Sequence, residues 1–156
     1  QKAGKRTIKV NLRDQLVQKY LYFPSLRFSV IYGCLYVGIL HKGDLYKLPL
    51  PNIHNKDGWV CFGYNCHWSD NEINELIHKF WSEIFKFNVA MRKEFLPIAA
   101  AYGTNRSLMP LHEEYSYFLD KWAENDNFLI EKFCVSENKL TLPTTLPVHI
   151  RLRRDF

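Results

Sequence analysis

Two prolines one residue apart, Pro49 and Pro51, constrain this chain more than any other feature. Neither has a backbone N–H to give to a sheet, and the ring of each fixes its φ. They follow runs of β-branched and aromatic residues, so regular strand pairing has to stop near Leu48 and give way to a loop. A strand can resume only after Gly58, where residues 59–63 form a short apolar segment with Cys61 at its centre.

Upstream of the prolines, residues 7–12 alternate as a strand does, and residues 13–23 fit either a strand or a short helix ended by Pro24. Residues 27–32 and 35–40 read as two strands separated by Gly33 and Cys34. The turn His41-Lys42-Gly43-Asp44 then leads into a third strand at 45–48. This is the pattern of an antiparallel meander.

Downstream the period changes. Ser69 followed by Glu72 is a capping box, and Ile73, Leu76, Ile77, Phe80, Trp81, Ile84 and Phe85 recur on one helical face, which predicts a helix over 70–87. Helical pieces are expected within 88–102, interrupted at Pro97, with a polar loop at 103–110. A second amphipathic helix is expected over 111–125 through Tyr115, Phe118, Leu119 and Trp122, and a last alternating strand at Val148, Ile150 and Leu152. Strands early and helices late make the fold class α+β, an antiparallel β-meander followed by packed helices.

A length of 156 residues with 47% hydrophobic and 15% aromatic side chains suits one globular domain over 1–156, with 1–6 and 154–156 expected to be flexible. There is no apolar run of membrane-spanning length, and the opening segment is polar and basic, unlike a signal peptide. The formal charge of +5 gathers at the two ends, in Lys2, Lys5, Arg6, Arg151, Arg153 and Arg154, where charges are usually solvated. Helix-turn-helix, RNA-binding and zinc-finger signatures are absent, so nucleic acid is not an expected partner, and no Gly-rich phosphate loop supports nucleotide hydrolysis.

The chemistry concentrates around Cys61. A Cys between Val60 and Phe62 is either a small buried hydrophobe or a nucleophilic thiolate, and the polar side chain of Asn52 lies across the proline loop from it. Asp57, Asp70 and His67 are nearby acid–base candidates, but no required spacing selects one. Cys61, Cys66 and His67 with His78 or His54 supply zinc ligand types. Cys-x4-Cys-His is not the spacing of a zinc knuckle, however, and no metal or other cofactor is expected. The four cysteines, Cys34, Cys61, Cys66 and Cys134, are irregularly spaced in a chain rich enough in aromatics to form a core without staples. Reduced thiols in the cytoplasm are expected.

Taken in order, Pro51-Asn52-Ile53, Gly58, Val60-Cys61-Phe62 and Trp68-Ser69 resemble the active-site neighbourhood of ubiquitin-conjugating enzymes. Leu-Pro-Leu-Pro-Asn with Trp-Val-Cys-Phe-Gly is more similar still to the bacterial conjugating-like family that includes the B proteins of the PRTRC gene system. The resemblance implies a ubiquitin-conjugating (UBC) fold, with Cys61 accepting the C-terminal acyl group of a ubiquitin-like protein from an activating enzyme. It assigns to Asn52 either stabilisation of the oxyanion or maintenance of the loop. The position before Pro51, His in the eukaryotic enzymes, is Leu50 here. The same fold also occurs in adaptors without activity. In such a protein Tyr20, Tyr22, Tyr32 and Tyr36 would offer a surface to a protein partner, or less readily to nucleic acid.

Overall fold

The computed structural model describes residues 1–12, 15–54, 57–62, 67–86 and 111–143. Its elements, in chain order, are β1 (Gly4–Leu12), β2 (Gln15–Phe23), β3 (Leu26–Ile31), β4 (Cys34–His41), β5 (Asp44–Tyr46), α1 (Ile73–Ser82), β6 (Ile84–Lys86) and α2 (Leu111–Glu124). A 3-10 turn at Asp70–Glu72 precedes α1, and a π-helical turn at Leu129–Phe133 follows α2. The class is mixed α+β.

Two three-stranded sheets replace the single meander. One has the order β2-β1-β6, with β1 and β2 antiparallel from Gly4 opposite Phe23 to Leu12 opposite Gln15. The other, β3-β4-β5, is antiparallel throughout and is the meander read from the sequence. Both of its connections are two-residue turns with positive φ at each central position, at Tyr32 and Gly33 and again at Lys42 and Gly43. That left-handed geometry matches the twist of the flanking strands. The first turn is therefore Tyr32-Gly33, and Cys34 belongs to β4.

Residues 15–23, ambiguous in sequence, are strand. β1 begins at Gly4, so residues 4–6, expected to be flexible, are in the sheet, and the Leu26 N–H donates to the Gln1 carbonyl at 2.9 Å. The helix expected over 70–87 ends at Ser82. The Ser82 hydroxyl donates to the carbonyls of His78 and Lys79, Glu83 turns extended (φ −71, ψ 151), and Ile84–Lys86 pairs in parallel with Lys9–Asn11 of β1. At its start the expected box is present: the Ser69 N–H and hydroxyl donate to the Glu72 carboxylate at 3.1 and 2.8 Å. These bonds hold the Glu72 carboxyl below its usual range. The pieces expected within 88–110, the last strand near 148–152 and the ends at 154–156 lie outside the described residues.

One hydrophobic core draws on both sheets and both helices. Leu76 and Phe80 of α1 enter it, as do Tyr115, Phe118, Leu119 and Trp122 of α2, the face expected from their spacing. Phe23 sits edge-on between Trp81 and Trp122, with ring centroids 4.9 and 5.0 Å away. The Trp122 indole N–H donates to the Tyr22 carbonyl at 2.9 Å, so this large side chain is buried without stranding its donor.

Candidate functional site

The proline loop closes on itself. Leu50-Pro51-Asn52-Ile53 is a β-turn in which the Ile53 N–H donates to the Leu50 carbonyl at 3.2 Å, with Pro51 at the position where a fixed φ is useful. Leu50, at the position that is His in the eukaryotic conjugating enzymes, is fully buried in the core. The Tyr115 hydroxyl of α2 donates to the Pro49 carbonyl at 2.9 Å, which ties the loop to the helix layer.

The chain then doubles back. Cys61 N–H donates to the Asn52 carbonyl at 2.8 Å and His54 N–H to the Trp59 carbonyl at 2.9 Å, on either side of an Ile53–Val60 bridge. Residues 58–60 pair on their other edge with the start of β4, through Val37 N–H to Gly58 carbonyl and Val60 N–H to Leu35 carbonyl, both 2.9 Å, around a Tyr36–Trp59 bridge. Gly58 makes this approach possible. Its φ is +80, and a Cβ there would lie 2.4 Å from the Val37 carbonyl oxygen.

Side chains alternate across this small sheet. Val60 points into the main core, and Phe62 packs against that core from its edge, beneath the Lys79 ammonium, which lies 5.4 Å from its ring centroid. On the opposite face Cys34, Tyr36 and Trp59 form a separate buried cluster, and half-buried Cys61 packs against it. His54 stacks on Trp59 with centroids 4.7 Å apart, and the Asp57 carboxylate accepts the Trp59 N–H at 3.0 Å. Burial, reinforced by the Asp57 charge, pushes the Tyr36 phenol far above its usual value. Its oxygen has no hydrogen-bond partner among the described residues.

The structure thus brings together the two residues singled out for catalysis. Asn52 and Cys61 are neighbours through a backbone bond. Asn52 is the buried polar residue of the site, and its Oδ1 is sealed from solvent with no partner among the described residues. His67 is exposed and stacks on Trp68, which packs against the core. Of the four tyrosines weighed as a partner surface, Tyr20 and Tyr32 are exposed, Tyr22 is half-buried and Tyr36 is buried. Among the described residues no three potential ligands gather to hold a metal ion. No described helix is long and apolar enough to cross a membrane.

One expectation is overturned. The cysteines are not all reduced: Cys34 is disulfide-bonded, whereas Cys61 and Cys134 carry thiols. Burial pushes the Cys134 thiol up to about 11. Irregular spacing hid the disulfide because bonding depends on Cα geometry across the fold, which spacing along the chain does not report. Sequence reasoning also missed Cys34 and Tyr36 as neighbours of Cys61. Their period-two placement in β4 marks a shared face, but the bridge of Tyr36 to Trp59 is a long-range fact. In comparisons with known proteins the chain matches no family model, no curated protein and no solved structure.

Proposed function

We propose that the chain is a single UBC-like domain that carries a ubiquitin-like protein as a thioester on Cys61. The observation that supports this reading most is the hydrogen bond from Cys61 N–H to the Asn52 carbonyl. It ties the backbone of Cys61 to that of Asn52, in a loop held by Pro51, Gly58 and Tyr115. In the chemistry, the Cys61 thiolate attacks the C-terminal carbonyl of the ubiquitin-like protein held as a thioester on the activating enzyme, that enzyme's sulfur leaves as a thiolate, and an amine later displaces Cys61, also as a thiolate, to form an amide. An amide N–H at Asn52 suits the oxyanion of the tetrahedral intermediate formed when the amine attacks the Cys61 thioester.

The partners in this reading are an activating-enzyme-like protein and a ubiquitin-like protein, and its compartment is the cytoplasm. The disulfide at Cys34 bears on that placement, because cytosolic disulfides in mesophiles are usually catalytic or redox-sensing rather than structural.

The non-catalytic adaptor is favoured by a different observation: Cys61 is only half exposed and rests against the Tyr36–Trp59 cluster. One experiment separates the two readings. The chain is incubated with ATP, an activating-enzyme-like protein and a ubiquitin-like protein from its own source. A thiol-sensitive adduct that disappears in Cys61→Ser is expected. No adduct, with an activating enzyme shown to be charged, leaves the adaptor.

A further inference from the structure

We propose that β2 is an interface for a second copy of this chain: two β2 strands pair antiparallel about Gln18 and join their sheets into one. β2 is an end strand of its sheet, nine residues long, with no proline or glycine in it. Among the described residues, no backbone hydrogen bond from outside the sheet reaches residues 15–21. The Tyr22 carbonyl is taken by the Trp122 indole N–H at 2.9 Å, so it turns away from β1. Backbone groups alternate in direction along an antiparallel strand, and Tyr20, Gln18 and Leu16 therefore turn theirs to the same open edge.

The side chains on this edge are as unguarded as the backbone. Tyr20 and Leu16, 62% and 58% exposed, are the two most exposed large hydrophobics among the described residues. They share the outer face of the sheet with Gln18, at the strand's period of two. A long open edge that carries exposed apolar side chains is a template for another strand.

The order of the residues selects a second copy as that strand. With Gln18 on a two-fold axis, Leu16 of each copy lies opposite the partner's Tyr20, and the outward backbone groups at 16, 18 and 20 are exchanged between copies. Aromatic and aliphatic side chains set opposite each other stabilise a strand pair. Lys19 narrows the choice of register. An inward-pointing charge is a common guard of sheet edges, but here the Asp120 carboxylate meets it at 2.6 Å. Pairing about Gln18 places Lys19 opposite the partner's Val17, whereas pairing about Lys19 would oppose two ammonium groups. Pairing about Tyr20 would need the Tyr22 carbonyl that Trp122 holds. Lys9 sits opposite Gln18 in β1. Three strand spacings, about 14 Å, would separate it from the partner's Lys9, beyond the screening length of about 8 Å at physiological salt. This interface is independent of the chemistry at Cys61.

The test is sedimentation velocity of the full chain from about 1 to 200 μM, the range in which a small interface is half occupied. A reversible rise from monomer to dimer is expected, with no larger species. Gln18→Pro deletes an N–H that faces the open edge, a position where sheets tolerate proline, so the fold should persist by circular dichroism while the dimer is lost. Tyr20→Lys alters only an exposed side chain, and its dimer should dissociate at about tenfold higher concentration or more. Tyr20→Lys carries the test alone if Gln18→Pro unfolds. The proposal is overturned if the wild-type chain stays monomeric over the whole range, if it assembles beyond a dimer, or if either variant, folded, dimerises as the wild type does.

Discussion

Tyr115 and Pro49 are joined across the core by a 2.9 Å hydrogen bond from the phenol to the proline carbonyl. Pro49 is buried, and the bond comes from a residue 66 positions further along the chain. Tyr115→Phe keeps the ring packing and strands that carbonyl. A loss of about 1–3 kcal/mol is expected in urea unfolding. An unchanged midpoint would show that the proline loop does not depend on α2.

Tyr36→Phe should behave in the opposite way. The Tyr36 oxygen is buried with no partner among the described residues, so deleting it removes a desolvation cost and breaks no bond. Stability at neutral pH is expected to stay level or rise, and a loss above about 1 kcal/mol would sink this reading. Burial raises the folded-state pKa of both Tyr36 and Tyr115. Their neutral forms therefore favour the fold, a contribution fully present below the unfolded phenol value of about 10 and lost as pH rises above it. The wild-type midpoint should fall on alkaline titration, and each Phe variant should flatten that fall.

Gly58→Ala tests the close approach behind Cys61. The added Cβ would meet the Val37 carbonyl oxygen at 2.4 Å and a Leu140 methyl at 2.9 Å, at a φ of +80. The left-handed backbone alone costs roughly 1–2 kcal/mol for a residue with a Cβ, and the contact with backbone adds to it. Thermal unfolding should show a loss of at least about 2 kcal/mol. Faster alkylation of Cys61 in the same variant would show that residues 59–61 had come away from β4.

Lys42 occupies φ +50 in the tight turn between β4 and β5. Asn tolerates that conformation better, and Asn-Gly is the favoured pair for such turns. Lys42→Asn is expected to stabilise the chain by about 1 kcal/mol, read as a higher urea midpoint at an unchanged slope. A fall in the midpoint would mean that Lys42 contributes more through its side chain than its backbone costs.

These sites also mark what the sequence disclosed. The prolines and Gly58 announced the loop, and the period of Tyr115, Phe118 and Trp122 announced the buried face of α2. Ile84 and Phe85 misled because their positions continue the helical period of α1 while Phe85 is buried for another reason, in a strand paired with β1. Hydrophobic spacing reports burial, not the partner that provides it. Parallel pairing of β6 with β1 and the bridge from Tyr36 to Trp59 both join residues far apart in the chain. Register and topology decide them, and no local pattern encodes either.

Asn52 is where local rules and the site diverge. A buried amide oxygen without a partner is an energetic cost of about 1–3 kcal/mol, and a residue kept at such a cost is a candidate for function rather than stability. If Asn52 serves the oxyanion, Asn52→Ala should leave the thermal midpoint close to wild type and leave loading of Cys61 intact. Discharge of the thioester to an amine should slow by about 10²–10³, the usual effect of losing one oxyanion donor. If it serves the loop, loading and discharge should fall together and the midpoint with them. Single-turnover measurement of both steps, alongside thermal unfolding, separates these outcomes. A variant that loads and discharges like wild type would remove Asn52 from the chemistry altogether, leaving its backbone carbonyl, which holds Cys61 N–H, as its contribution to the site.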